Sequence, residues 1–225
     1  MTAFYAVVRP ILVPLVKMVW APRISGVENL PTEGPFLVAS NHIANVDSFV
    51  LPIAAPRQVR FIAKDTYWKK RGPIGFVQRH FFDAVGTVPV DRDTLSSGRG
   101  ALDVAVRVLR DGDGFGIYPE GTRSRDGRLY RGRPGVAWLA LEADCPVIPV
   151  GLKGTPELFA KGRWWRARKV VSVRFGEPVD FSGIDPSLSQ GARRREMTGL
   201  VMDRIAELSG QERTDALNHH APAGM

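Results

Sequence analysis

An α/β fold built on a mostly parallel sheet is the expectation for this chain, and three features carry it. Short apolar runs alternate with stretches of helical periodicity from residue 36 to residue 208. The strand-like runs are apolar almost throughout, as strands buried on both faces are. Strand-like runs and helical stretches in alternation mean the crossover connections that parallel neighbours require. With 225 residues, 44% of them hydrophobic and 24% charged, the chain suffices for one sizeable domain with its own core. No internal repeat or dividing linker is visible. The expected organisation is an N-terminal apolar, membrane-associating helical segment over residues 1–30, an α/β domain over 31–210 and a disordered tail over 211–225.

The first strand is Phe36 to Ala39, after the Gly34-Pro35 breaker. A helix from Val46 to Leu51 follows, with Asn45 as its N-cap and Pro52 as its stop. Val59 to Ala63 reads as a second strand ending at Lys64, Ile74 to Phe82 as an apolar helix, and Ala84 to Val90 as extended chain ending at Asp91-Arg92. Ser96 to Arg110 places Leu102, Val106 and Leu109 at helical spacing, with Gly112 to Gly114 as the stop. Phe115 to Tyr118 is a strand, Gly135 to Ala143 a helix, Val147 to Leu152 and Val170 to Phe175 strands, and Arg193 to Leu208 the closing helix. The polar stretch NHHAPAGM ends the chain.

Residues 3–20 are largely apolar, but Arg9, Pro10, Pro14 and Lys17 interrupt them at depths a spanning helix does not tolerate. A secretory signal fits poorly, since no basic region precedes the apolar part and no A-x-A site closes it. Two readings stay open. The segment lies in a lipid boundary through Phe4, Leu12, Leu15 and Trp20 while its cations snorkel, or it packs on the domain's own core.

The net charge is +8 and the pI about 10.1, which implies anionic company: nucleic acid, a phosphorylated substrate or an anionic membrane face. A single cysteine, Cys145, excludes an internal disulfide and a multi-cysteine metal site. No clustered metal-ligand set is visible, with His219 and His220 lying in the tail.

His42 falls just past the first strand and Asp47 five residues on. In one continuous helix those side chains would stand roughly 140° apart, so His42 is placed in the turn and Asp47 in the first helical turn. There Asp47 can accept from one ring nitrogen and leave the other as a base near neutral pH. The alternative is a solvated loop histidine beside an unrelated carboxylate. In parallel sheets active groups gather at the carboxyl ends of strands, which directs attention to His42, Lys64, Arg92 and the run after Tyr118. That run, Pro119 to Ser124, sets a carboxylate (Glu120), a glycine that bares its backbone (Gly121), hydroxyls (Thr122, Ser124) and a guanidinium (Arg123) side by side, a set able to hold phosphate.

Four blocks in order, NHIANVD (Asn41 to Asp47), GTVPVDR (Gly86 to Arg92), YPEGTRS (Tyr118 to Ser124) and VIPVGL (Val147 to Leu152), resemble those of the glycerolipid acyltransferases, the group that contains 1-acylglycerol-3-phosphate acyltransferase. The resemblance implies His42 as general base, Asp47 as its orienting partner, and Arg92, Glu120, Gly121, Thr122 and Arg123 as acceptor-binding residues. Lys64 looks like a lysine often found beside the phosphate site. Tyr118 stands where the family usually has phenylalanine, and Pro89 where an apolar side chain is commoner. Arg131 and Arg133 precede Gly135 where the family often supplies a lysine, and the sequence leaves open whether one of them, or neither, substitutes for it.

The implied reaction moves a fatty acyl group from an acyl thioester, acyl-CoA or acyl-carrier protein, onto the free hydroxyl of a lysophospholipid such as 1-acyl-sn-glycerol 3-phosphate. No cofactor or metal is implied. The partners are the thioester, the lysophospholipid and an anionic membrane surface, met peripherally at the cytoplasmic face of the cell membrane. Candidate lipid contacts are the N-terminus, the Tyr67 to Arg71 loop and Arg163 to Arg166. Glycerol 3-phosphate or another lyso-lipid is the alternative acceptor. KGRWWRARK (Lys161 to Lys169) also fits a nucleic-acid binder, although no nucleic-acid module is present and no nucleic-acid partner is expected.

Overall fold

The computed structural model describes residues 10–11, 13–15, 17–18, 21–84, 86–91, 98–159 and 170–218. The strands are β1 (Arg23–Ser25), β2 (Phe36–Ser40), β3 (Val59–Arg60), β4 (Ile62–Lys64), β5 (Val88–Val90), β6 (Gly114–Ile117), β7 (Val147–Lys153) and β8 (Ser172–Phe175). The helices are α1 (Asp47–Ala54), α2 (Thr66–Lys69), α3 (Gly72–Ala84), α4 (Arg99–Arg110), α5 (Gly135–Ala143) and α6 (Gln190–Ser209). The main sheet runs β1-β8-β7-β2-β6-β3, parallel at every pairing except β7 with β8, and β4 and β5 form a separate parallel pair.

β2 holds the centre, and all five of its residues are buried. Because successive strand side chains point to opposite faces, it serves two cores. Phe36 and Val38 pack with Val50 and Leu51 of α1 on one face. Leu37 and Ala39 pack with Leu109 of α4, Val136 and Leu139 of α5 and Ile205 of α6 on the other.

Several boundaries differ from the expected ones for visible reasons. Val59 to Ala63 is not one strand: β3 pairs with β6, whereas β4 leaves the main sheet and pairs with β5. The bend falls at Phe61, whose ring fills the space over Gly116, where a Cβ would come within 2.1 Å of it. α1 runs through Pro52 to Ala54 instead of stopping before it. The missing N–H costs one helical bond, but Val50, Leu51, Ile53 and Ala54 are all buried there, and that burial holds the last turn. α6 starts at Gln190, where the Ser189 side chain accepts from the Ala192 N–H.

The expected disorder from residue 211 does not hold for 211–218. After Gly210 the chain runs beside residues 129–131: the Leu129 N–H donates to the Glu212 carbonyl, the Thr214 N–H to that of Leu129, and the Arg131 N–H to that of Ala216. Asn218 is buried.

Two buried polar side chains tie the strand ends. The Asn41 amide accepts from the Leu152 N–H at 2.8 Å and donates to the Leu152 carbonyl at 2.9 Å and to Gln211 Oε1 at 2.6 Å. Glu120 accepts from the His42 N–H (3.3 Å) at Oε1 and from the Tyr130 N–H (3.0 Å) at Oε2. Burial pushes the Glu120 carboxyl up to about 7 from 4.5, against the two N–H donors that favour its charged form. Folded Glu120 thus binds its proton more tightly than unfolded Glu120. Its contribution to stability is complete below about pH 4.5 and lost as pH rises through about 7. Between those limits the unfolding free energy should carry a component falling by roughly 1.4 kcal/mol per pH unit. Urea titrations at pH 5, 6 and 7 should show this slope in the wild type and lack it in Glu120→Gln; equal slopes would mean that Glu120 titrates outside this window.

Candidate active site

The main chain of His42 leaves β2 at the carboxyl edge of the sheet and is held from both sides by the loop that follows β6. Its N–H donates to Glu120, and its carbonyl accepts from the Ser124 N–H at 2.8 Å. Asp47, at the first position of α1 and fully buried, gathers three donors on Oδ2: His42 Nδ1 at 2.8 Å, the Ile43 N–H at 2.7 Å and the Ala44 N–H at 2.8 Å. An ionised carboxylate only accepts, so Nδ1 carries the proton and Nε2 of the neutral ring is the bare nitrogen. Nε2 makes no hydrogen bond among the described residues, and the side chain is 18% exposed. Asn45 is not the N-cap of α1. Val46 occupies that place without a side-chain bond, because Asp47 itself takes the amides of the turn, and Asn45 Oδ1 accepts from Arg123 Nη1 at 2.7 Å instead.

The imidazole lies on the ring of Tyr118, centroids 4.1 Å apart and planes 11° from parallel, with Phe61 behind Tyr118 at 5.3 Å. The Tyr118 hydroxyl meets Ser48 Oγ of α1 at 3.0 Å. Burial, and then the neighbouring Asp47, hold the phenol well above its ordinary pKa, so it stays protonated. The aromatic plate fixes the ring plane while Asp47 fixes the rotation within it.

The loop after Tyr118 divides its labour. Glu120, expected to bind substrate, is fully buried and spends both oxygens on backbone amides; it is a structural tie beneath the site. Gly121 adopts φ +77°, and a Cβ there would stand 2.7 Å from Arg133 Nε. Of the two candidate arginines, it is therefore Arg133 that lies over the loop, and its exposed guanidinium has no partner among the described residues. Thr122 is half-buried, its carbonyl accepting from Asn218 Nδ2 at 3.5 Å. Arg123 reaches across to Asn45, joining this loop to the His42 turn. Asp126 accepts from Arg128, Tyr130 and Ser124 and so braces the far bend.

Lys64 closes β4 in register with Val90, which puts its main chain beside the second sequence block, two residues before Arg92. Arg92 and the tryptophan-rich stretch 161–169 lie outside the described residues, as do Phe4, Leu12 and Trp20. Trp68 packs on Phe82 and donates to Asp83 Oδ1 at 2.8 Å, so its ring serves α3 before any outer partner. The buried Cys145 thiol is pushed up to about 11 by burial and is no nucleophile at neutral pH. The structure thus brings together His42, Asp47, Gly121, Thr122 and Arg123 at the ends of β2 and β6, and adds two residues that sequence reading did not assign. Tyr118 joins His42 by a stack between distant positions that no spacing announces. Arg133 was one of a pair, and only the close approach to Gly121 separates it from Arg131.

Comparison with known proteins identifies the family. A family model for acyltransferases matches residues 21–153. The 1-acyl-sn-glycerol-3-phosphate acyltransferase of Bacillus subtilis is 28% identical over 197 residues, 84% of this chain and 88% of that one. Its namesake from Borreliella burgdorferi is 31% identical over 186 residues, 82% and 70% of the two chains. The crystal structure of the 1-acyl-sn-glycerophosphate acyltransferase PlsC from Thermotoga maritima superposes with a TM-score of 0.62 at 27% identity, covering 89% of this chain and 80% of that one. With the family model matching more than half of its length around the paired His42 and Asp47, this chain belongs to the acyltransferase family.

Proposed function

We propose that the chain transfers a fatty acyl group from an acyl thioester to the free hydroxyl of 1-acyl-sn-glycerol 3-phosphate, giving phosphatidic acid. The observation that carries this reading is the 2.8 Å bond from His42 Nδ1 to Asp47, which leaves Nε2 bare beside a loop carrying Arg123 and Arg133. The names of the Bacillus and Borreliella relatives support the acceptor. An alcohol attacks a thioester poorly until a base takes its proton. Nε2 of His42 receives that proton as the hydroxyl oxygen bonds to the acyl carbon. The tetrahedral intermediate then collapses, the carbon–sulfur bond breaks, and the imidazolium returns the proton to the leaving thiolate. Asp47 stabilises the imidazolium without itself being protonated. The donor is acyl-CoA or acyl-carrier protein, and no cofactor takes part.

Acceptor phosphate is held by Arg123 and Arg133, with Lys64 and Arg92 completing the set as the family resemblance implies, and with Gly121 and Thr122 shaping the loop. Because acceptor and product are lipids, the domain works at a membrane, and we place it peripherally on the cytoplasmic face. Ile11, Leu15 and Met18 support this: they fall at i, i+4 and i+7 of a helical stretch, and each is at least half exposed. No described helix is long and apolar enough to cross a membrane.

His42→Ala should lower kcat at least about 100-fold with little change in acceptor KM, and Asp47→Asn should also fall steeply through the wrong tautomer. Acyl-CoA turnover with the lipid product identified by mass checks both, and near-normal kcat in His42→Ala would sink the mechanism. Arg123→Ala and Arg133→Ala should each remove a charge-assisted contact of about 1.5–3 kcal/mol. The acceptor KM should then rise at least tenfold for phosphorylated lyso-lipids and hardly at all for neutral ones; equal losses on both would show that these arginines serve the fold. Replacing Ile11, Leu15 and Met18 together by aspartate should release the folded protein from anionic vesicles in a sedimentation assay. Full pelleting of that variant would refute the proposed contact.

A further inference from the structure

The family model ends at residue 153, yet the candidate site is closed from behind by residues far beyond it. α6 returns the chain to the carboxyl ends of β2 and β7, where Leu208 and Ser209 pack against Gly151 so closely that a Cβ there would come within 2.4 Å of the Leu208 backbone. Gly210 turns the chain at φ +65°. The next side chain, Gln211, is placed between the two halves of the site. Its Oε1 accepts from Asn41 Nδ2 at 2.6 Å, one residue before the base. Its Nε2 donates to the Gly127 carbonyl at 2.7 Å, in the loop that carries Gly121, Thr122 and Arg123. From there residues 212–216 pair with Leu129 and Arg131, Leu129 and Arg213 forming a parallel bridge, and buried Asn218 donates to the Thr122 carbonyl.

We propose that Gln211 is a positioning residue for acyl transfer, and that the strap it begins, residues 211–218, holds the acceptor-binding loop against the His42 turn. The proposal rests on the reading of that loop as the acceptor site. Its consequence is asymmetric. Asn41 keeps two bonds to Leu152 when Gln211 is lost, so the base stays in place. The Gly127 bend loses its tie to the β2 end, and the loop gains freedom that acceptor binding must remove again. Binding is therefore the step that weakens.

The test uses the full chain with Gln211→Ala and Gln211→Glu; the glutamate keeps an acceptor for Asn41 and loses the donor to Gly127. A chain ending at Asn218 serves as the control. Amide hydrogen exchange reads the loop independently of activity, and steady-state kinetics with acyl-CoA and lysophosphatidate in mixed micelles reads the site. Both Gln211 variants should speed exchange at Ser124, Leu129 and Arg131 about tenfold while the amides of β7 and α5 stay protected, and should raise the acceptor KM about tenfold with kcat within threefold. The chain ending at Asn218 should match the wild type in both. Unchanged exchange across 119–131 in folded Gln211→Ala overturns the proposal, as does an unchanged acceptor KM or a fall confined to kcat. If the wild type transfers nothing to lysophosphatidate, the functional reading fails on its own, and the exchange data still decide whether the strap orders the loop.

Discussion

One carboxylate oxygen organises the candidate site. Asp47 Oδ2 receives the His42 ring and two consecutive backbone amides within 2.8 Å, and each such bond to a charged acceptor contributes roughly 1.5–3 kcal/mol. Against them stands the cost of burying the charge, several kcal/mol, and Oδ1 gains no relief, being buried without a partner. The balance needs all three donors at once. That requires the chain to turn sharply between β2 and α1 and present Nδ1 and two N–H groups to one point. The turn, the start of α1 and the tautomer of His42 are therefore set together. A substitution that frees any one of them leaves buried donors unpaired.

The sheet supplies what that turn cannot. β2 is buried on both faces and flanked by parallel β6 and β7, so the ends of three adjacent strands emerge on one edge, and the loops after them meet without further design. Asn41 completes the edge by satisfying both backbone groups of Leu152 in β7, and Glu120 by accepting from the His42 turn and the Tyr130 loop. Burying a carboxylate there is costly, which is why its pKa rises, yet its two acceptor oxygens span a gap between His42 and Tyr130 that no apolar side chain would bridge.

Much of this was legible in the sequence, and the limits have physical causes. Continuous apolar runs located β2, β6 and β7 because strands buried on both faces have no polar alternation to hide them, and the five-residue spacing of His42 and Asp47 required the turn that the structure contains. Phe61 defeated the reading of residues 59–63 because a bend made by one ring packing over a glycine leaves an unbroken apolar string. Pro52 misled because local helix rules lost to the burial of α1. Glu120 was misassigned because composition identifies a carboxylate without saying which way it faces. The tail was misread because residues 211–218 are held mostly through backbone groups, which every sequence possesses.

Backbone bonds of this kind also explain how the His42 turn and the loop after β6 can be separate in sequence and joined in space. The His42 N–H and carbonyl both bond to the loop after β6, one through Glu120 and the other to the Ser124 N–H directly. The loop thus takes much of its position from the same peptide units that place His42. Arg133 projects from that frame, Arg123 joins it to the His42 turn through Asn45, and Tyr118 and Asp47 fix the ring from within. In the proposed reaction, acceptor preference varies through the Arg123 and Arg133 guanidinium groups while the His42–Asp47 geometry stays as it is. On that reading the residues proposed to choose a substrate are separate from those proposed to activate it, although both sets stand on one turn and one loop.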